Sequence, residues 1–369
     1  MTAKKLTFVI SSLQQGGAER VLSTLSNSFS GRNYQVTIVC MNNAPTGYPI
    51  AENVRVLKLV KRTGKQHFFK RVMYGILTYY RLLKFLRIER PICVIAFMTS
   101  ANLWTGLTCG LLRIPYIVSE RTTPELTIHQ FGPFYKWLSF HIYKNSKAVV
   151  IPARGILESL RNEYNFSVLK NYHIIRNPVY EFLPANKKIV HDKKFILGVG
   201  RLSPEKGFDQ LIDAFSQLKV ENIDLLIIGV GKERARLEAQ VNELGLKARV
   251  FFLGAKNDVE NYYRAASVFV LPSRNEGYPN ALVEAMSNGC ACVAMDCEFG
   301  PAEIIEHGVN GVLVPNGNTS QLAREIFQVL FDKQYHAALG QQASLIKKTN
   351  ALSVISDQWE ELILESTDL

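Results

Sequence analysis

Short, largely apolar runs alternate along this chain with stretches of helical periodicity. In the first half the runs are 6–10, 36–40, 54–59, 92–97, 116–118, 148–151 and 173–175. In the second they are 195–199, 224–228, 250–253, 268–271, 291–294 and 312–314. Runs that do not alternate apolar with polar residues predict strands buried on both faces, as in parallel sheets covered by helices. Helical periods such as 208–218, 232–244 and 281–287 lie between them. The pattern therefore predicts an α/β protein made of two doubly wound halves with a cleft between them. It breaks once, where residues 180–194 run polar and irregular after Asn177-Pro178. The expected organisation is a first domain at 1–179, a linker at 180–194, a second domain at 195–350, and an acidic C-terminal helix at 351–369 able to cross back onto the first domain.

Two apolar stretches need separate treatment. Residues 94–112 contain Thr99, Ser100, Asn102, Thr105 and Thr108, which reads as a strand, a turn and a small-residue helix rather than a membrane span. Residues 1–10 carry two lysines and only a five-residue apolar run. That reads as a first strand, not a signal peptide.

Ligands of such sheets sit beyond the carboxyl ends of the strands, and two segments with chemistry follow strands there. Gly200-Arg201-Leu202-Ser203-Pro204-Glu205-Lys206-Gly207 places two cations on a loop stiffened by proline. Glu276-Gly277-Tyr278-Pro279-Asn280-Ala281-Leu282-Val283-Glu284 places a carboxylate, a glycine and a proline before a helix that carries a second carboxylate. The amides of Asn280, Ala281 and Leu282 would open that helix toward an anion. Glu284 lies roughly 7 Å further along the axis by helix rise. Cations and helix amides suit phosphate, whereas carboxylates suit vicinal hydroxyls. A ligand with sugar at both ends and diphosphate in the middle, a nucleotide-sugar, satisfies both. Arg201 and Lys206 could stabilise a departing diphosphate, where fixed donors contribute ~3–4 kcal/mol each in comparable sites.

Charge changes the picture of the first half. Residues 1–185 hold 24 Lys and Arg against 8 Glu and no Asp, a net of +16, while the remainder nets −5. The excess peaks at Lys58, Lys61, Arg62, Lys65, Lys70, Arg71, Arg81, Lys84, Arg87 and Arg90, with Glu89 alone opposing. Such asymmetry points this half at something anionic. The six cysteines are dispersed and form no C-x-x-C pair, which fits reduced thiols in a cytoplasmic protein. No Asp-x-Asp occurs, so protein cations rather than a metal are expected at the diphosphate, and no cofactor is expected.

Taken in order, Gly16-Gly17-Ala18-Glu19-Arg20, the 200–207 segment, the two glutamates with seven residues between them, and Glu298-Phe299-Gly300-Pro301-Ala302-Glu303-Ile304-Ile305 resemble the retaining glycosyltransferases of family 4. The resemblance spans nearly the whole chain. It implies a GT-B fold of two Rossmann-like domains facing a cleft, no metal, and donor binding chiefly by the second half. It also implies that Arg201 and Lys206 hold the diphosphate, that Glu276 contacts the transferred sugar and Glu284 the ribose, and that Gly16 and Gly17 let the backbone approach phosphates or acceptor. Many relatives carry a histidine where this chain has Arg121, which makes Glu120 and Arg121 candidates for sugar or acceptor contacts. His129 and His141 are read as ordinary side chains.

The stretch 67–90 reads as a basic amphipathic helix. Phe68, Phe69, Val72, Met73, Ile76, Leu77, Tyr80, Leu83 and Leu86 are interleaved with Lys70, Arg71, Arg81, Lys84 and Arg87. Lys70, Arg71, Arg81 and Lys84 are the candidates for an anionic membrane surface or a lipid diphosphate; a core-packed helix with a solvated charged face is the competing reading. The region is similar to that of bacterial enzymes that extend undecaprenyl-diphosphate-linked sugars. The expected protein is a retaining transferase, peripheral on the cytoplasmic face of the cell membrane, that moves a hexose or N-acetylhexosamine from a UDP-sugar to a lipid-linked saccharide. N-acetylgalactosamine is the first choice, and nucleic acid is not expected as a partner. A soluble or protein acceptor, or a non-catalytic basic lipid- or nucleic-acid-binding protein, are the alternatives.

Overall fold

The computed structural model describes residues 4–14, 16–61, 67–163, 165–179 and 189–367. The chain divides into two compact units, Met1–Pro178 with Leu352–Leu369, and Val179–Ala351. The first holds a sheet of β1 (Lys4–Ile10), β2 (Tyr34–Asn42), β3 (Arg55–Val60), β4 (Cys93–Phe97), β5 (Tyr116–Ser119), β6 (Ala148–Ile151) and β7 (Tyr172–Ile174). The second holds β8 (Lys194–Val199), β9 (Ile223–Ile228), β10 (Val250–Gly254), β11 (Val268–Leu271), β12 (Cys292–Asp296) and β13 (Val312–Pro315). Each strand falls on one predicted apolar run, with ends shifted by up to two residues. Residues 94–112 divide as expected, into β4 and helix Thr99–Leu112.

Both sheets are parallel, ordered β3-β2-β1-β4-β5-β6-β7 and β10-β9-β8-β11-β12-β13. Their strands are buried because each face carries its own layer of helices. In the first unit Leu6, Phe8 and Ile10 pack with helices Gly17–Ser30 and Leu352–Ser366. Val9, Val94 and Ala96 point the other way, into a core shared with helices Phe68–Glu89, Thr99–Leu112 and Pro133–Asn145. The strand order reverses between β1 and β4 in one sheet and between β8 and β11 in the other. Those two switch points, where neighbouring connections leave toward opposite faces, are where such sheets open a crevice for ligands.

The acidic C-terminal helix does return to the basic unit. Trp359 is fully buried and stacks on Phe97 with ring centroids 5.8 Å apart. Arg32 bridges Asp357 (2.5 Å) and Glu360 (3.0 Å), and Tyr34 donates to Glu360 (2.9 Å). Of the expected linker, 180–188 lie outside the described residues, as do Arg62 and Lys65, and β8 has already begun at Lys194. Among the described residues no helix is long and apolar enough to cross a membrane.

Candidate functional site

The site of the second unit is built on β8 and β11, the strands that flank its switch point. Gly207 closes the turn Pro204–Lys206 at φ +63°, and a Cβ there would lie 2.0 Å from the Pro272 carbonyl oxygen. Only glycine lets the post-β8 loop touch the end of β11 in this way. Backbone bonds stitch the loops together: the Arg274 and Asn275 amides donate to the Glu205 carbonyl at 2.8 and 3.3 Å. The Arg274 guanidinium donates to the Pro204 carbonyl (3.0 Å) and to both Asp209 carboxylate oxygens (2.7 Å each).

Within this frame Lys206 Nζ lies 2.6 Å from Glu276 Oε1, and Ser273 Oγ donates to the same oxygen at 2.7 Å. Glu276 is 6 % exposed, so the pair holds an ammonium and a carboxylate in fixed positions at the mouth of the switch point. Arg201 behaves differently. Its side chain is 66 % exposed and approaches Glu205 at 3.9 Å, while Lys206 alone of the two meets Glu276. Burial alone would raise the Glu205 carboxyl, but the Ser203 hydroxyl and the charges of Arg201 and Lys206 outweigh it and hold it below its ordinary range. The Cys297 thiol is pushed up to about 12 by burial, with the Glu276 charge adding to the effect.

The second motif opens helix Asn280–Ser287, with Pro279 capping it rather than sitting inside its first turn. The Leu282 and Val283 amides both donate back to the Pro279 carbonyl, at 3.0 and 3.2 Å. Leu282 is therefore removed from the expected phosphate donors, because a tight i→i−3 bond spends its N–H. Asn280 and Ala281 do stand at the helix start. Glu284 is buried one turn further on and accepts from Tyr263 Oη at 3.2 Å. Gly289 at φ +74° ends the helix, its amide bonding Met286 while Cys290 bonds Ala285, a pattern that satisfies the last carbonyls.

Three expectations for the first unit change. The Gly16 amide donates to Tyr48 Oη (3.1 Å) and the Tyr48 hydroxyl donates to the Gly16 carbonyl (3.0 Å), so this backbone is held by a side chain rather than presented to phosphate. Gly17 is the first residue of helix Gly17–Ser30. Glu120 is buried, accepting from Thr99 (2.9 Å), Asn102 (2.9 Å) and Tyr143. Burial raises its carboxyl to about 7 against the pull of those bonds and of Arg121. Arg121 lies against Phe97 and Trp359 and donates to Ser119 (2.8 Å) and Asn177 (2.5 Å). Glu120 thus serves the core of this unit, and Arg121, half-buried, is held by Ser119 and Asn177. In the basic helix, Leu82, Phe85 and Leu86 enter the core while Phe69, Val72, Met73, Ile76 and Tyr80 stay exposed. The core-packed reading therefore holds for one face, on which Tyr74 and Leu77 of the first half also lie. Lys70, Arg71, Arg81 and Lys84 are all exposed, and Arg81 also donates to the Leu59 carbonyl.

Family models match both halves of the chain: Glycosyltransferase Family 4 over residues 15–180 and Glycosyl transferases group 1 over residues 179–345. The chain belongs to the family 4 glycosyltransferases. A Campylobacter jejuni relative, named as an α-1,4-N-acetylgalactosaminyltransferase acting on an undecaprenol-diphosphate-linked saccharide, is 26 % identical over 98 % of both chains. The amylovoran biosynthesis glycosyltransferase AmsD of Erwinia amylovora is 25 % identical over 97 % of this chain and 99 % of its own. In fold, the transferase matches Anabaena HepE solved with UDP-glucose, at TM-score 0.80 and 19 % identity over 98 % and 99 % of the two chains. Sucrose-phosphate synthase of Thermosynechococcus elongatus also matches, at TM-score 0.80 and 18 % identity over 98 % of each chain. The architecture is that of the GT-B glycosyltransferases.

The sequence reading missed Ser273, Asp209, Arg274 and Tyr263. Arg274 stands two residues before the second motif, and its partners lie 70 and 65 residues away. Arg274→Ala should lower kcat/KM of the transferase about tenfold or more, by loosening the turn that aims Lys206. Arg274→Lys should not restore it, since a lysine cannot bond both oxygens of Asp209 and the Pro204 carbonyl in one plane. Steady-state kinetics beside a melting curve check this; equal loss of stability and rate would mean that Arg274 only holds the fold.

Proposed function

We propose that this glycosyltransferase moves a hexose or N-acetylhexosamine, N-acetylgalactosamine first, from a UDP-sugar to a saccharide carried on a lipid diphosphate, with retention of configuration and without a metal. The observation that carries the reading is the Lys206–Glu276–Ser273 set, fixed between β8 and β11 at the switch point of the second unit. A cation and a carboxylate held side by side suit the junction of a diphosphate and a sugar. Lys206 would meet the phosphate oxygens and Glu276 a sugar hydroxyl. Glu284, deeper along its helix, is assigned the ribose. Arg201, exposed on the same loop, has the freedom to swing onto the diphosphate. The Campylobacter relatives, by their names, act on undecaprenol-diphosphate-linked sugars, which supports the acceptor class and the choice of sugar.

In the proposed step the bond from the sugar C1 to the diphosphate oxygen breaks, and the acceptor hydroxyl bonds C1 on the same face. Its proton passes to the departing phosphate oxygen. No side chain need act as nucleophile or base; the protein supplies position and charge. A lipid-linked acceptor places the work at the cytoplasmic face of the membrane of a bacterium building a surface polysaccharide or glycan. Lys70, Arg71, Arg81 and Lys84 are exposed cations for that surface.

Thermal-shift screening against a panel of nucleotide-sugars tests the donor, since a ligand at ~100 times its Kd adds ~2.7 kcal/mol. A response confined to non-uridine donors would overturn the UDP assignment. Calorimetry then separates the carboxylates. Glu284→Gln should weaken binding of free UDP, while Glu276→Gln should spare UDP and damage sugar transfer. Equal loss of UDP affinity in both would mean the two ends of the ligand are assigned the wrong way round.

A further inference from the structure

Two helices of the first unit expose apolar side chains that its core does not use, and both do so at the same edge of the sheet. Helix Phe68–Glu89 ends at the amino edge, because Glu89 pairs with Lys5 of β1 at 3.0 Å. Its first turns therefore lie toward the carboxyl edge. There Phe69 is 84 % exposed and Val72, Met73, Ile76 and Tyr80 are open as well. Helix Pro133–Asn145 runs the same way, since β6 begins at Ala148, immediately after it and opposite Ile117. Its first turns, also at the carboxyl edge, expose Phe134 (65 %), Tyr135 and Trp137 (47 %). Phe134 and Trp137 stack with centroids 6.1 Å apart. Helix Thr99–Leu112 packs between them: Trp104 meets Tyr79 at 6.0 Å, and Ile142 lies against Gly106.

We infer that Phe134, Tyr135 and Trp137 form an aromatic wedge that enters the headgroup layer of an anionic bilayer, at the same sheet edge as the exposed first turns of helix Phe68–Glu89. Aromatic rings with polar tips favour that layer, and an apolar face flanked by cations lies in it rather than across it. Charge decides for a bilayer over a second copy of the chain. Lys70 and Arg71 are exposed at the same edge, on the first turns of helix Phe68–Glu89, so two copies meeting face to face would bring like charges together, whereas anionic headgroups neutralise them. Lys136, inside the wedge, is already paired with Glu163 at 2.8 Å and adds no bare charge to the inserted surface. The wedge lies at the edge that carries the strand ends of this unit, and it rests on the proposed function only in taking a lipid-linked acceptor to be met there.

The test needs neither donor nor acceptor, so it stands apart from the assignment of the reaction. Of the three tryptophans, Trp359 is buried, Trp104 half-buried and Trp137 exposed. Vesicles containing phosphatidylglycerol should blue-shift the emission, and the shift should vanish in Trp137→Phe. Phe134→Ser with Trp137→Ser should lower partition into these vesicles about tenfold, as expected for loss of buried apolar area. The control Leu111→Ser, equally exposed but at the opposite end of helix Thr99–Leu112, should leave partition unchanged. Neutralising Lys70, Arg71 and Lys84 to Gln should remove the salt-dependent part of binding, leaving at low salt the partition and blue shift that wild type shows at high salt. Unchanged partition of the Phe134/Trp137 variant overturns the wedge, as does a concentration-dependent dimer of the wild type that this variant abolishes.

Discussion

Replacing Lys206 by alanine is expected to lower kcat/KM by about 10²–10³-fold, the loss seen when one fixed donor to a developing anion is removed. The departing diphosphate gains charge as the C1–O bond breaks, and an ammonium already held by Glu276 at 2.6 Å need not reorganise to meet it. Arg201→Ala should cost less, because the exposed guanidinium has to be drawn in from solvent. Lys206→Ala also strips the partner from a buried carboxylate, so stability should fall by about 1–2 kcal/mol, less than for a fully buried pair. The double variant Lys206→Ala with Glu276→Gln should recover that stability and none of the rate. Urea melts and steady-state kinetics on the four proteins separate the two effects. Wild-type turnover should survive chelator. Turnover lost to chelator and returned by manganese would overturn the metal-free reading, and near-wild-type turnover in Lys206→Ala would overturn the site.

The strands were legible because a strand buried on both faces leaves a largely apolar run, and each strand among the described residues stood on a run, the edge strand Arg55–Val60 with two lysine or arginine side chains exposed. The motif loops were legible for a related reason, since loops after parallel strands are where ligands meet the sheet. What the chain hid was aim. Arg201 and Lys206 share one loop and one charge, yet the left-handed turn at Gly207 sends Lys206 to the end of β11 and leaves Arg201 outside. Leu282 read as an open amide because the tight bond back to Pro279 depends on a backbone angle. The hold of Tyr48 on Gly16 joins two loops 32 residues apart. Glu120 and Arg121 follow a strand and read as solvent-facing. Glu120 is covered by Thr99, Asn102 and Tyr143, and Arg121 lies against Phe97 and Trp359, residues dispersed over most of the first unit. In helix Phe68–Glu89 cations and apolar residues are mixed throughout; the sheet and helices it packs on determine which of the apolar residues enter the core.

Glu120→Ala should lower stability by about 3 kcal/mol, since it leaves buried donors of Thr99, Asn102 and Tyr143 without their acceptor. Glu120→Gln should be nearly neutral, and the geometry says why. Oε1 takes both Asn102 and Tyr143, whereas Oε2 meets only the Thr99 hydroxyl, which can accept as well as donate. A glutamine amide, or a protonated Oε2, fits that arrangement with every bond kept. The pH dependence follows in sign. The folded carboxyl titrates at about 7, above its ordinary 4.5, so the folded state binds this proton more tightly than the unfolded chain does. The resulting stabilisation is full below about 4.5 and is lost as pH rises toward 7. Glutamine carries no such proton. Wild type and Glu120→Gln should therefore melt alike near pH 5, and the variant should become the more stable of the two by pH 8. Denaturant midpoints across that range measure it. A wild type that gains on the variant as pH rises would mean that Glu120 is ionised in the fold, with Arg121 as its counter-charge.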